Sequence, residues 1–446
     1  MLQTMFEPKI YTLHNPVQQY KWGSLTAMHA LFGIPNPDGV PQAELWMGAH
    51  AHASSSVRID EQSTIALINA IQENPCFWLG PRISARFENK LPFLFKILCV
   101  DTPLSIQAHP DKVTAQQGYQ KENDEGLPAD SPERNYKDDN HKPELVCAYT
   151  PFWVMSGFRP RNEIITNLEK LNINEINLLK GEKELKEIIS GFTHSVSSPS
   201  GENERLKLFY TDLLSVSDQS AKNIIEKITQ RCQQLVSEKK CSPEFPDPFA
   251  AVLMLNAYYP GDISILSPLF LNCLILNPGE AMFVSAGTLH AYVKGVCIEL
   301  MANSDNVLRG GLTPKKIDIN ELIKCLNFRA EAPVVKKPVN GIYISPAGEF
   351  SLSRHDITET SVFTENDRIK KGTGIQVFVC TNGTGKAVWY DNNSPSSTHS
   401  TVHSAGNSQI NSITVKPGVS FVIPAQLDSY TFSGKMNLYC ASVPKA

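Results

Sequence analysis

The pattern of hydrophobic and polar positions divides the chain into three regions. Short apolar runs such as Phe93–Leu98, separated by long polar loops, predict β-strands over residues 1–158. Over residues 159–258 apolar side chains recur every three or four positions, as on one face of a helix. Strand-like runs return at Leu271–Leu276 and continue beyond residue 332. The pattern therefore predicts a mainly β protein with an α-helical insert.

These regions predict a domain organisation with one interruption. Residues 1–158 and 259–331 form a discontinuous β-rich domain, and residues 159–258 form a helical domain inserted into it. Residues 332–446 form a separate C-terminal β domain. A chain of 446 residues with 41% hydrophobic side chains is long enough for two or three domains that each bury a core.

A weak internal repeat links the two β-rich regions. Pro278–His290 resembles Pro417–Ser429 with an offset of one residue, and both segments predict a turn, a strand, a turn and a second strand. Short strands separated by Pro-Gly turns are typical of jelly rolls of the cupin kind. Because the second copy has no counterpart of His290, we predict a C-terminal jelly roll that holds no metal.

Two polar segments are predicted to be surface loops. Residues 121–140 are charged, poor in large apolar side chains and interrupted by two prolines. Asp391–Ser412 is rich in Ser and Asn and carries His399 and His403. Neither segment is expected to contribute to a hydrophobic core.

Charge and composition exclude several classes of protein. A formal net charge of -4 provides no overall basic field, so we expect no nucleic-acid partner. No apolar run approaches the roughly 20 residues that cross a bilayer, and the first eight residues lack the basic and apolar regions of a signal peptide. The ten cysteines form no Cys-x-x-Cys pair, which argues against a disulfide framework or a thiolate zinc site. We expect a cytoplasmic protein.

The segment Ser105–Lys112 carries the first candidate chemistry. Gln107 and His109 stand two residues apart in a predicted strand, where residues i and i+2 project from the same face and could bind one ion. His50 and His52 share this spacing, but we interpret them as ordinary strand or loop histidines. So short a pattern carries little weight without further matches.

Further matches exist, because seven blocks of the chain resemble, in order, the signature segments of type I mannose-6-phosphate isomerases. The blocks are Asn15–Ser24, Ala43–Gly48, Leu91–Lys96, Leu104–Lys112, Asn140–Glu144, Gly287–Tyr292 and Glu299–Lys315. The resemblance spans residues 15 to 320. It implies a cupin-like catalytic domain that is interrupted by a helical domain and followed by a second jelly roll.

The resemblance also implies one zinc ion per chain, with four ligands: Gln107, His109, Glu144 and His290. A set of nitrogen and oxygen donors suits zinc. One carboxylate among three neutral ligands leaves the site with net positive charge, which can polarise a sugar oxygen or stabilise negative charge on it. A purely structural zinc site remains an alternative, because closed four-ligand sites are usually structural.

The reaction that the resemblance implies interconverts mannose-6-phosphate and fructose-6-phosphate. Moving a proton between adjacent carbons passes through an enediolate, which requires a general base and a cation near the oxygens. Arg309 is our first choice for the cation, because the family has an active-site arginine here and its guanidinium stays charged at any working pH. Its glycine neighbours predict a loop that a ligand can approach closely. The base is left open between Glu299 and Lys142, and Asp305 is a further carboxylate candidate.

A phosphate group must also be bound, and the chain has no glycine-rich phosphate loop. Separate hydroxyl and basic side chains are therefore expected. We rank Ser105 first because it shares a strand face with Gln107, together with Lys315, which stands at the end of a matched block. Trp22, Glu44 and Tyr292 are candidate walls of the substrate cavity. We expect a monomer that binds a small sugar phosphate and does not contact a membrane. The resemblance implies that its reaction supplies mannose and GDP-mannose metabolism.

Two other classes of function stay open on the sequence alone. A sugar-binding cupin without catalysis would keep the β-sandwich cavity but would not need Arg309 together with the ligand set. A metal-dependent hydrolase or oxygenase would instead require an open coordination position, with activated water or iron in place of zinc. Isotope exchange and metal analysis separate these classes.

Overall fold

The computed structural model describes residues 6–60, 62–172, 183–193, 199–358, 374–390 and 410–445. Most of the predicted surface loop Asp391–Ser412, including His399 and His403, lies outside the described residues.

Strands dominate the described chain. In chain order they are β1 (Tyr11–His14), β2 (Val17–Gln18), β3 (Glu44–Gly48), β4 (Ser56–Arg58), β5 (Thr64–Ala66), β6 (Phe93–Val100), β7 (Ile106–Ala108), β8 (Glu144–Ala148), β9 (Phe152–Phe158), β10 (Leu271–Leu276), β11 (Ala281–Val284), β12 (His290–Ala302), β13 (Leu308–Gly311), β14 (Val335–Lys336), β15 (Ile342–Tyr343), β16 (Ser351–Ile357), β17 (Gln376–Tyr390), β18 (Ile410–Val415), β19 (Ser420–Ile423) and β20 (Tyr430–Ser442). The pairings between them are antiparallel.

Helices occur both inside and outside the region 159–258 that was predicted to be helical. The helices are α1 (Ala27–Phe32), α2 (Leu67–Glu73), α3 (Pro75–Leu79), α4 (Pro81–Arg86), α5 (Lys112–Asp124), α6 (Arg161–Lys170), α7 (Lys183–Thr193), α8 (Pro199–Leu214), α9 (Asp218–Ser237), α10 (Pro248–Tyr258) and α11 (Ile319–Cys325), with a 3-10 helix at Ile263–Leu269. Of the described residues, that region contains α6 to α10. Within the described residues, no helix is both long enough and apolar enough to cross a membrane.

Helix α9 illustrates how the sequence pattern produces a helix. The Ser217 side chain accepts the backbone N–H of Ser220 and so satisfies one of the free donors of the first turn. Ala221, Ile224 and Ile228 follow at helical spacing and are buried together. This buried face joins the large apolar cluster of the second unit described below.

The described residues form two compact units. The first consists of described parts of Met1–Cys99, Ile298–Asn303 and Lys336–Ala446, and the second of described parts of Val100–Cys297 and Ser304–Val335. The division into domains 1–158 with 259–331, 159–258 and 332–446 stays a prediction.

The first unit contains an antiparallel sheet of nine strands. Its order is β15, β16, β20, β17, β19, β1, β4 and β5, with β18 also paired to β17. One face packs an aromatic core in which Phe378 stacks on Phe421 with ring centroids 5.1 Å apart, while Phe432 contacts Phe378 edge-on. Strand β3 pairs with β2 and β6 in the same unit.

The second unit contains the strands that carry the predicted ligands. Strand β9 pairs with β10 and β12, and β7 pairs with β12 and β13. Strand β8 pairs with β11. Because β7 lies between β12 and β13, residues that are distant in sequence are brought into one row.

The internal repeat is confirmed at the level of secondary structure. Strands β11 and β12 have lengths of four and thirteen residues, and so do β19 and β20. His290 is the first residue of β12, and Tyr430, next to the predicted Ser429, is the first residue of β20.

The prediction of a surface loop over residues 121–140 is wrong in part. Residues 121–124 belong to α5, and Glu122, Arg134 and Tyr136 are buried. The Glu122 carboxylate accepts the backbone N–H groups of Asn135 and Tyr136 at 2.9 and 3.0 Å and lies 3.4 Å from Arg134 Nε. A charged side chain can be buried here because its oxygens are satisfied, which charge composition alone does not reveal.

Candidate metal centre and active site

Three of the predicted ligands converge in the second unit. His109 follows β7, Glu144 begins β8 and His290 begins β12. Their candidate ligand atoms lie within 4.8 Å of one another, and all three residues are buried. His109 Nε2 is 3.1 Å from Glu144 Oε1, and His290 Nε2 is 3.5 Å from Glu144 Oε2. Two imidazoles and one carboxylate therefore face a common point.

Each of the two imidazoles is held through its other ring nitrogen. His109 Nδ1 lies 2.7 Å from the carbonyl oxygen of Asn306, and His290 Nδ1 lies 2.9 Å from that of Thr288. A carbonyl oxygen only accepts, so we assign the proton of each ring to Nδ1, which leaves a lone pair on Nε2. Both Nε2 atoms are buried without a hydrogen-bond partner. Two such lone pairs facing a carboxylate fit a cation, and the donor set suits zinc.

The electrostatics of the site favour the protonation states that bind a metal. Burial, together with the positive charge of Lys142, lowers the pKa of His109 to about 4, although Glu144 acts in the opposite direction. Burial also favours the neutral form of Glu144, but the positive charge of Lys142 acts against it, and the pKa of this carboxyl is held well below its ordinary value. His109 is therefore neutral and Glu144 ionised at neutral pH, as metal ligation requires.

Gln107 and Arg309 lie in one cross-strand row with His290. His290 is paired with Gln107 across β12 and β7, and Gln107 with Arg309 across β7 and β13. Directly opposed residues of an antiparallel pair project from the same face, so the three side chains emerge side by side. The expected pair on a single strand differs in detail, because β7 ends at Ala108 and His109 lies just beyond it.

Lys142 and Tyr292 hold the two oxygens of Glu144. Lys142 Nζ lies 3.1 Å from Oε1, and the Tyr292 hydroxyl donates to Oε2 at 2.7 Å. Lys142 is 8% exposed and Tyr292 1%. Tyr292, predicted as a cavity wall, thus contacts the candidate ligand directly, and the pair determines how the Glu144 carboxylate is oriented.

Arg309 is a strand residue rather than a loop residue, and its glycine neighbours pack against protein. A Cβ on Gly310 would lie 2.6 Å from the hydroxyl of Tyr210, and one on Gly311, whose φ is +139°, would overlap Ser264. The two glycines therefore allow β13 to approach α8 and the 3-10 helix. The close packing of Tyr210 and Ser264 explains why glycine stands at both positions, so the predicted approach of a ligand is not required to account for them.

Arg309 and Lys137 both lie near enough to Lys315 for their charges to act on it. Burial lowers the pKa of Arg309, and partial burial with the positive charges of Arg309 and Lys137 lowers that of Lys315. Lys315 is exposed and Ser105 is half-buried immediately before β7. Lys137 was not singled out from the sequence because it lies in the segment that was predicted to be a surface loop.

Other predicted residues lie in the first unit and form a buried charged cluster there. Lys96 Nζ lies 3.2 Å from Glu44 Oε2 and 3.1 Å from Glu299 Oε2. The indole N–H of Trp46 also donates to Glu44 Oε2 at 2.6 Å. Lys96 was missed from the sequence, although a single lysine in the apolar run Phe93–Leu98 was a visible signal.

Two further predicted residues are half-buried. Trp22 lies beside the ring of Tyr20 at a centroid distance of 5.8 Å in the first unit. Asp305 belongs to the second unit, where its backbone N–H donates to Asp138 Oδ2 at 2.7 Å. The roles predicted for Asp305 and Trp22 stay predictions.

Proteins similar in sequence to this chain include mannose-6-phosphate isomerases from a bacterium and a mammal. Residues 10–161 match the family described as phosphomannose isomerase type I, catalytic domain. The chain is 41% identical over 359 residues to the mannose-6-phosphate isomerase of Salmonella typhimurium, covering 78% of this chain and 85% of that protein. It is 35% identical to the Homo sapiens mannose-6-phosphate isomerase, with coverages of 79% and 83%.

A solved structure extends the similarity to the whole fold. The crystal structure of mannose 6-phosphate isomerase from Salmonella typhimurium bound to substrate (f6p) and metal atom (zn) matches with a TM-score of 0.81 and 34% identity, covering 98% of this chain and all of that one. This match confirms the predicted fold class, which is mainly β and cupin-like with helices inserted. The chain belongs to the family of type I mannose-6-phosphate isomerases.

Proposed function

We propose that this chain is a zinc-dependent isomerase that interconverts mannose-6-phosphate and fructose-6-phosphate, with one zinc ion held by Gln107, His109, Glu144 and His290. One observation carries the proposal: two buried imidazole nitrogens without a hydrogen-bond partner face the same carboxylate. Family membership supports the reaction, and the zinc and substrate in the related Salmonella typhimurium structure support the metal and the ligand class.

The proposed site provides positive charge where the reaction develops negative charge. A bound zinc ion would polarise substrate oxygens and offset the charge that accumulates on them. Arg309, in the same row as Gln107, would add a permanent cation beside these oxygens. Lys315, Lys137 and Ser105 are proposed to bind the phosphate, because clustered cations and a hydroxyl suit a dianion.

The proton on carbon requires a base, for which Glu299 and Lys142 are the candidates. The Lys142 ammonium lies against Glu144, where it is suited to give a proton to a substrate oxygen. Glu299 is a buried carboxylate whose partner is Lys96, and a carboxylate can accept a proton directly. Both residues stay candidates for the base, and Lys142 is also suited to act as a proton donor.

Isotope exchange tests the proposed reaction. Incubation of the zinc-loaded protein with fructose-6-phosphate in heavy water should yield mannose-6-phosphate that carries deuterium at C2, detected by NMR. Chelation should abolish turnover and added zinc should restore it, with one zinc per chain by elemental analysis. If Glu299 is the base, Glu299→Gln loses the exchange of deuterium while it keeps its zinc. If the wild type yields no mannose-6-phosphate and incorporates no deuterium, the proposal that this chain is an isomerase is refuted.

The neutral ligand Gln107 provides a sharper test of the charge argument. In Gln107→Glu a second carboxylate would cancel the remaining positive charge of the site, so zinc should stay bound while kcat falls by at least about tenfold, equivalent to about 1.4 kcal/mol in the barrier. The variant Gln120→Glu makes the same charge change on the exposed surface of α5 and should leave kcat unchanged. Full activity in Gln107→Glu would show that the neutrality of this ligand is unimportant.

The remaining sequence predictions concern the surroundings of the enzyme. A monomeric state, a cytoplasmic location, the absence of nucleic-acid and membrane partners, and a supply role in GDP-mannose metabolism stay predictions.

A further inference from the structure

Asn306 is fully buried, and its side-chain amide forms hydrogen bonds with one short segment of the chain, residues 137–140. Its Oδ1 accepts the backbone N–H groups of Lys137 and Asp138 at 2.7 and 3.3 Å. Its Nδ2 donates to the carbonyl oxygens of Asp138 and Asn140, both at 2.8 Å. Because N–H groups only donate and carbonyls only accept, these partners determine the orientation of the amide.

Asp138 binds the same two segments from the opposite side. Its Oδ1 accepts the Ser304 hydroxyl at 2.8 Å and the backbone N–H of Asn140 at 2.9 Å. Its Oδ2 accepts the backbone N–H of Asp305 at 2.7 Å. The two side chains therefore form a reciprocal clamp between residues 137–140 and residues 304–306.

The clamp is connected to the candidate metal ligands at both ends. The backbone carbonyl of Asn306 is the group that accepts from His109 Nδ1, at 2.7 Å. The clamped segment 137–140 leads directly into Lys142 and Glu144, and Asn306 stands three residues before Arg309 on β13. Groups that belong to three separate parts of the chain are thus connected through one buried residue, Asn306, by its side-chain amide and its backbone carbonyl.

We propose that Asn306, clamped by Asp138, is a positioning residue that holds the imidazole of His109 and the segment carrying Glu144 in the geometry that binds the metal. Asn306 acts through the residues it holds and not on the substrate. Partners that orient metal-ligating histidines typically affect metal affinity or activity by about 10- to 100-fold when they are changed. The proposal rests on the proposed zinc site.

A substitution that removes the amide but keeps the backbone carbonyl tests the proposal. Asn306→Ala should raise the dissociation constant for zinc about 10- to 100-fold, measured by chelator competition on the purified full chain. The rise in Tm that zinc produces should shrink accordingly, because stabilisation by a ligand depends on its affinity. Asp138→Asn, which removes the acceptor of the Asp305 N–H, should act in the same direction with a smaller effect.

A matched control separates positioning from general stability. Asn36 in the first unit also clamps a loop, since its Nδ2 donates to the carbonyls of Leu25 and Val40, both at 2.9 Å, and its Oδ1 accepts the Val40 N–H at 3.2 Å. Asn36→Ala should lower the Tm of the zinc-free protein and leave the zinc dissociation constant unchanged.

The outcomes distinguish this inference from the proposed function. If the wild type takes up no zinc, the proposed function fails and the inference with it. If the wild type binds zinc and Asn306→Ala binds it equally well with unchanged kcat, the inference alone fails, and the clamp is merely structural. If Asn306→Ala is insoluble, Asp138→Asn decides, because wild-type zinc affinity in that variant would overturn the proposal.

Discussion

Replacement of Glu144 by glutamine should abolish zinc binding at micromolar free zinc and reduce turnover about 10²- to 10⁴-fold. The change removes the single negative charge of the proposed ligand set and leaves the buried ammonium of Lys142 without its partner carboxylate at 3.1 Å. Breaking a buried charge pair costs about 3–5 kcal/mol. At about 1.4 kcal/mol per factor of ten, this cost corresponds to a loss of about 10²- to 10⁴-fold in zinc affinity if all of it falls on metal binding.

A second glutamate of the same unit provides the matched control. Glu321 also accepts a tyrosine hydroxyl, that of Tyr136 at 3.1 Å, and also pairs with a lysine, Lys324 at 2.8 Å. Glu321→Gln should therefore lose comparable contacts without affecting zinc content or kcat. Zinc content is measured by elemental analysis and activity by coupled assay at saturating fructose-6-phosphate. Wild-type zinc content in Glu144→Gln would contradict the proposed ligand set.

Replacement of Arg309 by methionine should lower kcat about 10²- to 10³-fold and leave the zinc content unchanged. Removing one preorganised group that stabilises developing oxygen charge has an effect of this size. Arg309 lies beside Gln107 in the cross-strand row and is not one of the proposed ligands, so zinc binding is not expected to depend on it. Methionine keeps the length and the apolar stem of the side chain, which preserves packing.

The division between kcat and KM tests the role assigned to Arg309. If Arg309 mainly binds the phosphate together with Lys315, KM should rise while kcat stays constant, and this result would contradict its role in stabilising the enediolate. Arg159→Met is the control, because Arg159 is also a partly buried arginine of the second unit, with its Nε bonded to the carbonyl of Pro268. It should keep both kinetic constants.

The fold class could be predicted because its signals are local. Helix α9 follows from an apolar period and a serine cap, and strands β10 and β11 follow from short apolar runs on either side of the Pro278-Gly279 turn. The segment 121–140 was harder, since Glu122 and Arg134 look like surface charges until they are paired with each other and with backbone N–H groups. Pattern reasoning assigns charged residues to solvent and cannot detect such pairing.

The candidate site was predicted from matched blocks, which identify residues but not their neighbours. Lys96 lay inside one of these blocks and was not singled out, because its significance depends on Glu44 and Glu299, which come from two other strands. Asn306 also lay inside a block. Its importance depends on a carbonyl that meets His109 across a separation of 197 residues.

By itself the sequence determined which side chains are available: two histidines, a carboxylate and an amide, in blocks that follow the order of one enzyme family. It also determined the strands and helices, because their hydrophobic periodicity is a property of short segments of sequence. Only the tertiary structure decided what state these side chains are in. Burial, the Lys142 charge against Glu144, and the carbonyls of Asn306 and Thr288 together set the tautomers and the charges of the site. The contact between Asn306 and His109 joins segments 197 residues apart, and the energies of all these effects depend on distance and burial, which no local pattern encodes.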